Sequence, residues 1–156
     1  MTSAGDAPIG LTGGCQCGAV RNRLDASPKG SICHCRTCQK AGGSPFMAFG
    51  GIPAEAFVVT HGAIATFRSS EIAERGFFAA CGTPLTYRFL GGGRVGVTLG
   101  SLDEPNAAAP DSQLGVESRI AWLAESLNAP EMTADEWLAH KRVVSVGTHQ
   151  QPDHET

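Results

Sequence analysis

The sequence predicts a mainly β fold, a single antiparallel domain with short helices near its carboxy-terminal end. Three observations carry that expectation. Short stretches of strand character at 45–49, 56–60, 63–67, 76–78, 85–89 and 94–99 follow one another across turns such as His61-Gly62 and Gly91-Gly92-Gly93. The gaps between them leave no room for the crossover helices of a parallel sheet. Glycine is abundant, at 20 of 156 residues, and aromatic content is 6%, which suits many turns and a length that one domain can fill.

From the amino terminus, residues 1–7 are small and polar and read as a disordered lead-in. Residues 9–12 form a short strand, and Gly13-Gly14-Cys15-Gln16-Cys17-Gly18 makes a glycine-bounded knuckle. Residues 19–24 alternate small or apolar with polar side chains, as a half-buried strand does, and 25–30 carry turn chemistry. Residues 39–44 read as one helical turn stopped by glycine. After the run of strands the period changes. Ile120, Leu123, Ala124 and Leu127 share one helical face ahead of Asn128 and Pro130, and Thr133-Ala134-Asp135-Glu136 has the form of a capping box opening a second helix to about Lys141. The expected organisation is a β domain over 8–127, a helical extension over 128–146 and a frayed polar tail over 147–156.

Composition excludes some functions. The formal net charge is -3 and the twelve basic residues are scattered, so no phosphate-binding stripe exists and nucleic acid is not an expected partner. The first residues lack the basic and apolar regions of an export signal, and no run approaches membrane-spanning length. A cytoplasmic, reducing setting is therefore expected, in which six cysteines serve metal binding or catalysis better than cross-links.

The chemistry centres on Cys33-His34-Cys35-Arg36-Thr37-Cys38. In an extended strand Cys33 and Cys35 leave the same face, His34 points to the other, and a short turn returns Cys38. Spacing this tight strains a disulfide and suits a metal. Zinc takes thiolate sulfur at about 2.3 Å, and three protein ligands leave a fourth position for water or substrate. Cys15, Cys17 and Cys81 form a second possible trio, which would close a long loop. The partner expected three residues before Cys81 is Phe78, which cannot ligate, so these thiols are read either as a depleted metal site or as packing residues. Arg36, Lys40 and Arg75 are read as partners for substrate carboxylates or as solvated surface charges, the commoner case. His61, His140, His149 and His154 stand singly and receive no role.

Four ordered stretches, Gly13-Gly14-Cys15-Gln16-Cys17-Gly18-Ala19-Val20-Arg21, Cys33-His34-Cys35-Arg36-Thr37-Cys38-Gln39-Lys40, Phe77-Phe78-Ala79-Ala80-Cys81-Gly82-Thr83-Pro84-Leu85 and Gly100-Ser101-Leu102-Asp103-Glu104-Pro105, closely resemble the glutathione-dependent formaldehyde-activating enzymes, abbreviated GFA. The resemblance implies an antiparallel zinc-binding domain of the β-tent kind with two zinc ions. It places the catalytic ion on Cys33, Cys35 and Cys38 and a structural ion on Cys15, Cys17 and Cys81, with the family's fourth structural cysteine falling on Phe78. Where the family often has a histidine, ahead of Val116-Glu117-Ser118-Arg119, this chain has Gln113. The implied activity is carbon-sulfur bond making or breaking between a thiol such as glutathione and an aldehyde, giving S-hydroxymethylglutathione from formaldehyde; no general acid or base is assigned. The alternatives are a non-catalytic zinc module that binds a partner and a redox sensor built on Cys15 and Cys17.

Overall fold

A computed structural model describes residues 7–154, so the lead-in expected at 1–7 lies almost wholly outside the described residues. The fold is mainly β, as expected, in two sheets. The small sheet holds β1 (Leu11–Gly14), β2 (Arg21–Leu24) and β5 (Phe57–His61), in the order β1-β2-β5. The large one holds β3 (Lys29–Cys33), β4 (Met47–Pro53), β6 (Ala65–Ser70), β7 (Ala73–Phe77), β8 (Pro84–Phe89), β9 (Arg94–Thr98) and β10 (Pro110–Leu114). Its order is β10-β3-β4-β9-β8-β7-β6.

Both sheets contribute to the main core. Leu11 and Leu24 from the small sheet meet Ile52, Val95 and Val97 from the large one, closed by Leu99, Leu102 and Ala108. Each leucine, isoleucine or valine among them contributes about 1.5–3 kcal/mol when fully removed from water. Two satellite clusters, Cys15 with Val20 and Leu85, and Cys38 with Met47 and Phe49, place cysteines at the edges of packed apolar surface rather than in open loops.

The pairing is antiparallel with one exception. β10 runs parallel to β3, aligning Gln113 with Ile32 and Leu114 with Cys33. The crossover that a parallel pair requires is supplied here by the whole β4–β9 meander instead of a helix, so short gaps between successive strands did not exclude it. β10 is exposed along its length and carries no alternating apolar signal, which is why the sequence left it unread.

Two local expectations change. The extended run through Cys35 ends at Cys33, and a helix, α1 (Arg36–Gly42), begins three residues earlier than the predicted turn. The amphipathic helix expected through 120–127 is reduced to one turn, α2 (Leu123–Ser126), because its apolar face is only partly covered: Ile120 and Leu123 are half-buried and Leu127 is 80% exposed. The capping box forms as read, with Thr133 and Glu136 exchanging hydrogen bonds at the start of α3 (Ala134–His140). Part of the tail returns to the domain, where the Gln151 amide donates to the Gln16 carbonyl at 2.6 Å and Arg21 Nη2 donates to the His154 carbonyl at 3.4 Å. No helix among the described residues is long and apolar enough to cross a membrane.

Candidate functional site

Cys33, Cys35 and Cys38 converge, but through a strand-to-helix junction and not along one strand. Cys33 is the last residue of β3, flanked by Met47 of β4 and Leu114 of β10. Cys35 is the N-cap of α1, in extended conformation, and its Sγ accepts from the Cys38 amide at 3.4 Å. A thiol here does what a serine or aspartate commonly does at this position. Cys38, in the first turn, is buried against Met47 and Phe49. The three sulfurs all lie within 4.8 Å of one another. Ligands about 2.3 Å from a tetrahedral ion stand roughly 3.8 Å apart, so this donor set fits a thiophilic cation.

Charge is shared unevenly in the trio. Burial pushes the Cys33 thiol up to about 12, with the Cys35 amide opposing and the neighbouring sulfurs adding to the rise. Burial acts in the same sense on Cys35, yet hydrogen bonds from the Cys38 amide and the sulfurs of Cys33 and Cys38 leave it below the ordinary thiol value.

Arg75 is not the solvated surface charge that was the commoner expectation for an arginine. It rises from β7, is 8% exposed, and donates through Nη2 to Cys38 Sγ at 3.3 Å and through Nε to Ser69 Oγ at 3.0 Å. Its guanidinium carbon lies 5.1 Å from the Tyr87 ring centroid. Among the described residues no carboxylate pairs with it, so the sulfurs are its available counter-charge. Arg36 and Lys40 remain at the surface on α1, Arg36 donating to Gln39 Oε1.

The trio opens into a cavity of about 350 Å³ walled by Phe49, Tyr87 and Leu114. A larger one of about 740 Å³, lined by Arg36, Lys40, Phe67 and Phe77, lies alongside, and Thr37, Ser69 and Arg75 border both.

Behind the trio sits a polar clamp. His34, 2% exposed, points away from the sulfurs; its Nε2 donates to Gln113 Oε1 at 2.8 Å, and Arg119 Nη2 donates to the same oxygen at 3.1 Å. Gln39 Nε2 donates to the carbonyls of His34 and Ser118 at 2.6 and 2.9 Å. Gln113 thus ties β10 to the claw strand. Gln39, a buried glutamine one position after a cysteine, gave no sign of this in the sequence.

Cys15, Cys17 and Cys81 also converge within 4.8 Å, with Cys15 and Cys17 sulfurs 3.6 Å apart. No histidine or carboxylate joins either trio among the described residues. Burial would raise the Cys81 thiol, but hydrogen bonds from the Thr83 hydroxyl and from the Cys17 and Thr83 amides outweigh it and bring the group to about 6.

The profile of the family described as "Glutathione-dependent formaldehyde-activating enzyme" matches residues 10–118. The chain belongs to this family. That span takes in every cysteine of both trios, Arg75, and the Gln113 clamp up to Ser118. A relative in Schizosaccharomyces pombe, called an uncharacterized lyase, is 37% identical over 81 residues, covering 51% of this chain and 58% of that protein. The chain therefore spans little more than half that relative's length. Among solved structures, a Rhodobacter sphaeroides protein superposes with a TM-score of 0.53 at 18% identity, over 65% of this chain and 98% of that one, a likeness of fold.

Proposed function

We propose that this GFA-family chain is a carbon-sulfur lyase or synthase acting on the adduct of a small thiol and an aldehyde, S-hydroxymethylglutathione being the expected case, with zinc held by Cys33, Cys35 and Cys38. The observation that carries the reading is a trio of thiols, joined by no histidine or carboxylate among the described residues, that opens into a cavity and has a buried arginine against one of its sulfurs. Zinc there would supply the positive charge that favours loss of a substrate thiol's proton at neutral pH.

The chain's own residues account for the rest. Arg75 holds a fixed positive charge against Cys38 Sγ, which offsets the excess negative charge of three thiolates. Tyr87 and Phe49 wall the smaller cavity with apolar surface, limiting water around the reacting sulfur. Arg36 and Lys40, at the rim of the larger cavity, suit the carboxylates of a peptide thiol. In the forward direction a bond forms between thiol sulfur and aldehyde carbon while the carbonyl oxygen takes up a proton; the reverse reaction breaks that bond and returns both.

Titration of glutathione into cobalt-substituted protein tests the reading. A change in the cobalt-thiolate absorption that Cys35→Ser abolishes is the expected outcome, and an unchanged spectrum at every glutathione concentration refutes direct sulfur binding. A non-catalytic zinc module is favoured by one observation, the exposed Trp122, Leu127, Met132 and Trp137 of the carboxy-terminal segment. Metal binding with no response to any thiol would support that second reading.

A further inference from the structure

Basic residues that are scattered along the sequence gather around the two cavities beside Cys33, Cys35 and Cys38. Lys29 and Arg75 line the smaller cavity, and Arg36, Lys40 and Arg75 line the larger. Among the described residues no aspartate or glutamate lines either one. Four of the twelve basic side chains thus border one space, against the sign of a molecule whose net charge is -3.

We propose that the thiol this site prefers is an acid without a free amino group, either a mercapto acid or a peptide thiol whose amino end is acylated, and that the ammonium of glutathione weakens its binding. The inference rests on the reading above that the site takes a small thiol, and it narrows which thiols those are.

The cations are available to a ligand. Lys29, Arg36 and Lys40 are exposed and make no ion pair among the described residues. Arg36 donates to Gln39 Oε1, a neutral acceptor. Arg75 is held by Cys38 Sγ and Ser69 Oγ and adds its charge from the wall that the two cavities share.

The sign of the space follows from the pleat of β7. Arg75 stands opposite Phe67 of β6 and Tyr87 of β8, and all three line the cavities. Glu74, the acidic neighbour of Arg75, belongs to the other face of the sheet, where it stands opposite Arg68 and Arg88. Alternation therefore sends the carboxylate of this strand away and leaves its guanidinium inside. Phe67, Phe77 and Met47 give the larger cavity apolar surface suited to the methylenes of a ligand.

Glutathione carries a carboxylate at each end and an ammonium beside one of them. Its carboxylates meet cations here, while its ammonium meets like charge and no acidic partner. The same skeleton without the amino group keeps the attraction and loses the repulsion. A field of this sign also draws anions toward the cavity mouth.

The test uses the full zinc-loaded chain and two probes, S-methylglutathione and S-methyl-N-glutarylcysteinylglycine, the same molecule without its amino group. Neither offers a thiolate, so the comparison stands apart from sulfur binding to zinc, which the cobalt titration decides. At low ionic strength calorimetry should show the glutaryl probe binding about 5-fold tighter, the factor that one like-charge contact in water is worth, with the gap closing at high salt. Lys40→Glu, at an exposed helical position, should bring the two probes to parity by giving the ammonium a partner. Arg88→Glu, the same change of charge on the far face of the sheet, should leave the gap as it is. Equal affinities in wild type, tighter binding of S-methylglutathione, or binding of neither probe overturns the proposal, and so does an Arg88→Glu protein that loses the gap as fully as Lys40→Glu.

Discussion

Arg75→Met asks whether a buried cation balances the thiol trio. Methionine nearly preserves volume and lets Tyr87 and Met47 keep an apolar neighbour, so what is lost is charge and hydrogen bonding. At the observed 3.3 Å, a guanidinium and a thiolate attract by about 5 kcal/mol at an effective dielectric of 20. Much of that is offset by the desolvation of an arginine that is 8% exposed. The net worth of a charged hydrogen bond, about 1.5–3 kcal/mol, is the better guide. Three thiolates around a divalent ion carry one excess negative charge, and metal-free thiols carry little, so the guanidinium favours the loaded state. Arg75→Met should therefore weaken zinc binding at Cys33, Cys35 and Cys38 by roughly 10- to 150-fold. Chelator competition, scored on the equivalent that Cys35→Ser abolishes, measures this. Arg75→Lys, keeping the charge without the planar fork, should fall between. Zinc bound as tightly by the methionine variant as by wild type would refute the counter-charge argument.

Three further outcomes are expected. Burial alone would raise the Asp103 carboxyl, but hydrogen bonds from Arg21 and from Thr12, at 2.6 Å, together with the Arg21 charge, hold it below the ordinary range. Its contribution is then complete above about pH 4 and is lost as pH falls through the depressed value, so Asp103→Asn should lower Tm at pH 7 and flatten the acid limb of a Tm-against-pH curve. Gly115→Ala should disturb Cys35 selectively, because φ is +62° and the new Cβ would lie 2.8 Å from the Cys35 amide nitrogen. Zinc analysis should show loss at that trio with the other unaffected. Leu85→Ala, at a side chain with no exposed surface beside Cys15, should cost about 2–5 kcal/mol in urea unfolding; less than 1 would mean that this cluster contributes little to the fold.

What the sequence disclosed follows the strength of each local signal. β8 and β9 lie where alternation placed them, within a residue at their ends, since both pack one face into apolar surface. Thr133 and Glu136 specify their cap without help from elsewhere, and it forms on an exposed helix. The cysteine spacing announced convergence but not its backbone, because a period of two at Cys33 and Cys35 looks the same whether a strand continues or a helix is about to start. Arg75 and Gln113 stood out in the sequence, but not for the contacts they make. Their roles come from neighbours distant in sequence, Cys38 for one and His34 for the other, and no local pattern encodes such a meeting.

The two trios differ in how much of the chain must be in place before they exist. One is contained in a hexapeptide at a strand end, so a nascent polypeptide can wrap it around an ion as soon as that segment emerges. The other must bring Cys17 and Cys81 together across a long stretch of the chain, and closing the longer loop costs roughly 2 kcal/mol more in chain entropy. Loading should accordingly be ordered in time, the compact claw first and the spread one only after the meander has assembled around it.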